Sequence, residues 1–245
     1  MKPFTILHLT EVDSTNKYLR NQIDKSALPE GYVISADFQN SGKGLGTNTW
    51  ESEANKNLTF SLLLCPGFLK AEDMFLMSKA ISLGIIDALN TYQNCFTIKW
   101  PNDIYYQNKK VGGILIENQI QGSQIKFSII GIGINVNQER FTSDAPNPIS
   151  LQQILKHPLD TNECLNRILN QISIWYDMLS DGYTEKINQQ YFNHLFRSHH
   201  YHDFKANNEV FHAKIMEIKD DGCLILATPT GDTRSFYMKE VEFVM

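Results

Sequence analysis

The sequence predicts an α+β protein, a mixed and largely antiparallel sheet backed by helices, followed by a small C-terminal β-barrel of SH3-like size. Three observations predict it. Apolar, β-branched runs recur as short strands joined by tight turns, which favours antiparallel pairing over most of the chain. Two long stretches, 71–92 and 161–180, carry apolar residues at helical spacing. From Asp203 onward the texture changes to strands about eight residues apart, separated by Asp-Gly and Gly-Asp turns. The expected division is residues 1–197 and 198–245.

Taken in order, Phe4 to Leu9 reads as the first strand. Asp13-Ser14-Thr15-Asn16 follows, and then Tyr18, Leu19 and Ile23 recur at helical spacing. Asp13 or Ser14 is a natural N-cap, which explains this cluster of small oxygen-bearing side chains. A second reading has the same turn present hydroxyls and helix N-terminal N–H groups to a polar ligand. Gly31 to Asp37 is the next strand and leads into a loop in which Gly42, Gly44 and Gly46 alternate with Lys43 and Leu45. Such a loop can wrap an anion with its backbone N–H groups, or it can form a flexible surface hairpin. It is neither a Walker loop nor the dinucleotide fingerprint, because no Gly-Lys-Ser/Thr precedes a helix and the spacing is Gly-x-Gly-x-Gly. Asn57 to Leu64 alternates and then turns fully apolar, which predicts a buried strand.

Ala71 to Tyr92 predicts a helix with Glu72 and Asp73 in its first turn and Met77, Ala80, Ile81 and Ile85 on one face. Lys99-Trp100-Pro101-Asn102-Asp103 comes next. Phe96-Thr97-Ile98 favours extended backbone, and Pro101 keeps Trp100 out of the helical region, so Lys99 sits at a strand end. A lysine held this way is suited to meet a negative charge; the plainer reading is an exposed lysine beside a turn. Val111 to Glu117 is a strand whose Gly112-Gly113 pair lets a partner approach the backbone, and Gln124 to Val136 is another. Residues 142–158 read as a surface loop with a short helical turn at Leu151–Leu155. Thr161 to Ser180 is an amphipathic helix stopped by Asp181-Gly182, and Thr184 to Phe196 is a second. Ser198 to His202 holds three histidines without a second ligand cluster nearby, so it reads as a solvated linker rather than a metal site. The C-terminal strands are expected at 209–218, 223–228, 233–237 and 241–244.

Bulk composition narrows the function. With 245 residues the chain can bury one sizeable core and carry a small appended domain. A net charge of −5 without a basic block argues against nucleic-acid binding through phosphates. Cys65, Cys95, Cys164 and Cys223 are far apart, which suits buried thiols in a reducing compartment rather than zinc or disulfides. No signal-peptide core and no run long enough for a bilayer is present, so a cytoplasmic protein that does not contact membranes is expected.

Four stretches, in this order, resemble the biotin protein ligases: Ser14-Thr15-Asn16, the glycine loop from Gln39 to Trp50, Lys99-Trp100-Pro101-Asn102-Asp103-Ile104, and Gly131-Ile132-Gly133-Ile134-Asn135. Val111-Gly112-Gly113-Ile114-Leu115 and the C-terminal mini-barrel also match, so the resemblance covers nearly the whole chain. It implies the class II synthetase-like catalytic fold of those ligases. It also implies their reaction: biotin and MgATP give biotinyl-5′-AMP and pyrophosphate, and the biotinyl group then passes to a lysine of a biotin carboxyl carrier domain.

The resemblance implies roles for particular residues. Lys99 looks like the central cation between carboxylate and α-phosphate, and Lys43 like the second. Ser14, Thr15, Asn16, Gln39, Gly42, Gly44, Leu45 and Gly113 complete the expected biotin site, which also includes Lys43 and Lys99. Trp50, Asn102, Lys110 and Asn135 are expected on the nucleotide side, Trp50 as a cover that excludes water. No protein-held metal is implied; Mg2+ arrives with ATP. Asp103 is left open between an ion pair that orients Lys99 and a role in deprotonating the acceptor lysine. The loop departs from the family pattern, where basic residues commonly stand at both positions held here by Lys43 and Leu45. Faster leakage of the adenylate than in an arginine-bearing relative is therefore expected.

Only about a dozen residues precede Ser14, which leaves no room for the helix-turn-helix of repressor-type relatives, so no DNA binding is expected. Dimers are common in the family, and the sequence leaves open whether this chain forms a homodimer. Two other readings compete: a lipoate or octanoate ligase or transferase on the same fold, and a non-catalytic biotin- or nucleotide-binding module.

Overall fold

The computed structural model describes residues 4–142 and 147–245. Residues 1–3, in the stretch read for a leader, and 143–146, in the predicted loop, lie outside the described residues. The organising strand is β3 (Leu58–Leu64), all seven residues of which are buried. Its side chains alternate between two cores, with Phe60, Leu62 and Leu64 facing one and Leu63 the other. That is why the stretch alternates at first and ends as the apolar run Leu62-Leu63-Leu64.

Around it lie β1 (Thr5–Val12), β2 (Tyr32–Gln39), β4 (Phe96–Lys99), β5 (Asp103–Tyr106), β6 (Lys109–Gln121) and β7 (Gln124–Ile134). The order is β1-β2-β3-β7-β6-β5-β4. Only β1 and β2 pair in parallel; the other neighbours are antiparallel, as expected. Strand β1 runs three residues past its predicted end because Glu11 and Val12 pair with Phe38 and Gln39. The polar Thr10-Glu11 pair hid this extension, since one side of an edge strand faces water.

Helix α1 (Thr15–Lys25) covers one face of the sheet through Leu19. Helices α2 (Phe75–Asn90) and α4 (Thr161–Ser180) cover the other, with α3 (Leu151–Leu155) and α5 (Thr184–Asn193) beside them. Gly84 lets α2 and α4 touch, since a Cβ there would come within 2.7 Å of the Ile172 Cα. The predicted helix from Ala71 starts later than expected. Ala71–Asp73 form a 3-10 turn held by a hydrogen bond from Ala71 N to Ser123 O (2.9 Å), so Glu72 and Asp73 precede the helix proper.

The C-terminal part is a five-stranded antiparallel sheet: β8 (His202–Ala206), β9 (Glu209–Ile218), β10 (Leu224–Ala227), β11 (Thr233–Phe236) and β12 (Glu242–Phe243). Its ladder runs β11-β10-β9-β8-β12. His202, expected in the linker, opens β8 opposite Ala213. Phe204, Ile215 and Leu224 join the same apolar core as α2 and α4. A buried cation reinforces the junction: Lys79 on α2 donates to Asn188 Oδ1, Ile218 O and Asp220 Oδ1, each at 2.7 Å. Three donors meet three acceptors, so the buried ammonium is fully satisfied.

Candidate active site

A cavity of about 460 Å³ opens where the start of α1, the glycine loop, the β4–β5 turn, the middle of β6 and β7, and the C-terminal strand converge. Lys43 and Lys99, 56 positions apart in the chain (99 minus 43), both line it. Lys99 is the last residue of β4, as predicted, and its cross-strand partner is Asp103. Its Nζ donates to the Tyr105 hydroxyl at 3.2 Å and lies over the rings of Tyr105 (4.9 Å) and Phe243 (5.5 Å). Burial pulls the Lys99 pKa below the ordinary lysine value; Asp103 opposes this, while Lys110 and Arg197 add to it. Burial, reinforced by Asp103, pushes the Tyr105 phenol up to about 12, so that hydroxyl keeps its proton.

The structure corrects one of the two readings of Asp103. Its carboxylate pairs with Lys110 Nζ at 2.6 Å rather than with Lys99. Among the described residues no carboxylate lies within ion-pair distance of Lys99, so that ammonium has no direct ion-pair partner at the cavity wall. The Asp103–Lys110 pair passes over Gly113, where an added Cβ would sit 3.5 Å from Asp103 Oδ1 and 3.6 Å from Lys110 Nζ.

At the start of α1 the capping reading holds for position but not for chemistry. Ser14 occupies the N-cap with extended backbone (φ −157°, ψ 131°), yet its side chain makes no capping bond and lines the cavity instead. Thr15 N and Thr15 Oγ1 both donate to Gln39 Oε1, at 2.8 and 3.1 Å. Ser61 Oγ lies 2.7 Å from Thr15 Oγ1 and 2.6 Å from Asn16 Oδ1, with a single proton to give. A Cβ at Gly131 would collide with the Asn16 amide, so that glycine makes room for Asn16. Ser14, Thr15, Asn16 and Gln39 therefore form one polar wall, and all four residues are on the cavity.

The glycine loop is an ordered hairpin, bridged between Lys43 and Thr49. Lys43, Gly44 and Leu45 line the cavity; Gly42 does not, and a Cβ there would come within 2.6 Å of Trp50 O. The Gly44 N–H, expected to face an anion, donates to Asn48 O at 2.8 Å. Trp50 lines the cavity. Its ring packs on Gly133 in β7, where any Cβ would collide with it, and its buried indole N–H has no partner among the described residues.

Of the residues expected on the nucleotide side, Asn102 and Lys110 line the cavity. Asn102 Nδ2 donates to Ile114 O at 2.8 Å while Ile114 N donates to Asn102 O at 2.9 Å, which ties the β4–β5 turn to β6. Asn135 is a correction: it is buried outside the cavity wall, donating to Ile149 O at 3.3 Å and Lys110 O at 3.5 Å. It supports the chain around Lys110 rather than facing a ligand. Sequence reasoning missed Ser61, whose signal was a hydroxyl, like that of Thr59, inside a buried strand. It also missed Lys239, Glu242 and Phe243, which line the cavity from the C-terminal segment and carry no local motif.

Comparison with known proteins bears on this geometry. The model of the "Biotin/lipoate A/B protein ligase family" matches residues 9–135. The "Bifunctional ligase/repressor BirA" of Bacillus subtilis (strain 168) is 30% identical over 95% of this chain and 72% of its own length. The "Biotin--[acetyl-CoA-carboxylase] ligase" of Paracoccus denitrificans is 27% identical over 91% of this chain and 94% of its own. Among solved structures, the biotin protein ligase of Aquifex aeolicus in complex with biotin and ATP superposes with a TM-score of 0.82. It is 25% identical and covers 98% of this chain and 99% of that one.

Proposed function

The chain belongs to the biotin/lipoate A/B protein ligase family, and from that membership we infer that it is a biotin protein ligase. It activates biotin with ATP to biotinyl-5′-AMP, releasing pyrophosphate, and transfers the biotinyl group to a lysine of a carrier protein. The observation that carries the reading is that Lys43 and Lys99 open onto one cavity beside the Ser14–Asn16 and Gln39 wall.

The physical problem of the first step is that a carboxylate must approach a phosphate. Coulomb repulsion between them grows as water is excluded, so the site must supply positive charge where the two anions meet. Lys99 suits that task because Asp103 is ion-paired with Lys110 rather than with Lys99, which leaves the Lys99 ammonium free to meet a ligand. Lys43 brings a second cation from the loop. We assign Ser14, Thr15, Asn16 and Gln39 to the ureido end of biotin, since amide and hydroxyl groups match a ring with both donors and acceptors. Asn102, Lys110 and Trp50 border the nucleotide. Gly42 and Asn135 act through the backbone they support. In the second step the acceptor amine attacks the carbonyl of the adenylate, and Lys99 stabilises the departing AMP phosphate by the same charge.

The carrier is a biotin carboxyl carrier domain, and residues 198–245 form a module that completes the cavity of residues 1–197. All four cysteines are free; Cys164 and Cys223 are buried as expected, whereas Cys65 and Cys95 are exposed, and free exposed thiols fit work in the reducing cytoplasm. The test is to mix the protein with biotin, MgATP and a generic biotin-acceptor domain and to follow the acceptor by mass. One biotinyl addition is expected. Acceptor modification only when lipoate or octanoate replaces biotin would transfer the protein to the other branch of the family.

A further inference from the structure

Lys239 enters the catalytic cavity from the turn between β11 and β12, far in sequence from every motif of the site. Its side chain lies against the crown of the glycine loop. A Cβ on Gly46 would collide with Lys239 Nζ and come within 2.9 Å of its Cε. Gly46 also has φ +71°, which itself favours glycine at this position. Next to it in the loop stands Leu45, an apolar residue on the same cavity wall.

The turn that carries Lys239 is pinned rather than loose. Lys239 itself has φ 72°, Glu240 N donates to Tyr237 O at 3.1 Å, and Tyr237 N donates to the Glu240 carboxylate at 2.6 Å. The Tyr237 hydroxyl donates to Asp221 at 2.9 Å, in the β9–β10 turn that Lys79 anchors through Asp220. Among the described residues Lys239 Nζ has no hydrogen bond and no ion pair, and the acid beside it, Glu240, is occupied by the turn. An unpaired cation is thus held on a defined scaffold at the mouth of a cavity that must take a polyphosphate.

We propose that Lys239 binds the phosphate of the bound nucleotide, supplying from the C-terminal sheet the positive charge that Leu45 leaves out of the glycine loop and so retaining the adenylate. The inference rests on the biotin ligase reading above and deepens it. In the free protein the exposed ammonium is hydrated. A phosphate closing against the loop displaces that water and turns a weak exposed charge into a charge-assisted hydrogen bond. The loop and the C-terminal sheet then hold the ligand jointly, because Lys239 lies beside the loop at Gly46.

The experiment is release of radiolabelled biotinyl-adenylate from the preformed complex into excess unlabelled biotin, at low and high ionic strength. Wild type, Lys239→Met, Lys239→Arg and the double variant Leu45→Lys/Lys239→Met are compared. Lys239→Met keeps the stem and removes the charge; release about tenfold faster is expected, the scale of one charge-assisted hydrogen bond, with a weaker dependence on salt. Lys239→Arg and the double variant are expected to release near the wild-type rate. Release from Lys239→Met at the wild-type rate overturns the proposal, as does failure of Lys239→Arg to restore retention, which would mark a packing effect. If wild type forms no adenylate from biotin and MgATP, the biotin ligase reading falls and this inference with it.

Discussion

The indole N–H of Trp100 donates to the carbonyl of Gly222 at 3.1 Å. One residue after Lys99, the β4–β5 turn is thereby tied to the β9–β10 turn of the C-terminal sheet. Phe75 N donates to Asp220 O at 3.0 Å in the same turn, so α2 and the Lys99 turn share one anchor. The cation of the proposed reaction is positioned by a part of the chain more than a hundred residues away.

Trp100→Phe keeps most of the apolar volume but leaves the buried Gly222 carbonyl without its donor. An unsatisfied buried polar group costs about 1–3 kcal/mol. A denaturant midpoint lowered to that extent is expected, together with slower adenylation. An unchanged midpoint would show that the bond contributes nothing to the junction.

Lys99→Ala is expected to lower biotin-dependent ATP–pyrophosphate exchange by about 10²–10³, the usual loss for one charge stabiliser at a reacting centre. Its side chain sits at a strand end on the cavity wall, so stability should change by no more than about 1 kcal/mol. Exchange close to wild type, with the fold intact by circular dichroism, would remove Lys99 from the mechanism.

The pH profile follows from the same residue. Burial lowers the Lys99 pKa from 10.5, so exchange should decline on the alkaline side at a pH below that value. Because the folded value lies below the unfolded one, the unfolded chain binds more protons between them, and the Lys99 contribution to stability rises with pH in that window. Asp103 raises the Lys99 pKa, so Asp103→Asn should move the alkaline limb to lower pH. A limb that moves upward contradicts this electrostatic account.

Lys79→Met removes a buried ammonium that serves three acceptors in α5 and the C-terminal sheet. Asp220 is one-third exposed and can rehydrate, so a loss of about 2–3 kcal/mol is expected, on the scale of a hydrogen-bonded charge. Lys79→Met/Asp220→Asn should cost less than the sum of the single changes, because the two share an interaction. Strict additivity in thermal unfolding would refute the pinning role.

Gly131→Ala places a methyl against the Asn16 amide. The KM for biotin is expected to rise at least about tenfold, with a smaller change for ATP, because the displaced wall is the one we assign to biotin. Equal effects on both substrates would argue against that division of the cavity.

The sequence by itself determined the secondary elements and the local stiffness of the site. Hydrophobic period two marked β3, period 3.6 marked α4 to the residue, and Pro101 with Asn102-Asp103 placed Lys99 at a strand end, because these signals act between chain neighbours. Tertiary structure alone decided which side chains share the cavity. Nothing between positions 15 and 61 announces that Thr15 and Ser61 meet, and nothing local to Asp103 tells that it pairs with Lys110. Trp50 lies on Gly133 because β7 lacks a Cβ there, a fact of packing rather than of motif. The arrival of Lys239 and Phe243 depends on how the second sheet docks, through Trp100 and Lys79, onto the first. Short-range backbone preferences are written residue by residue, whereas a charge's surroundings are a sum over distant segments that only the folded chain brings within a few ångströms.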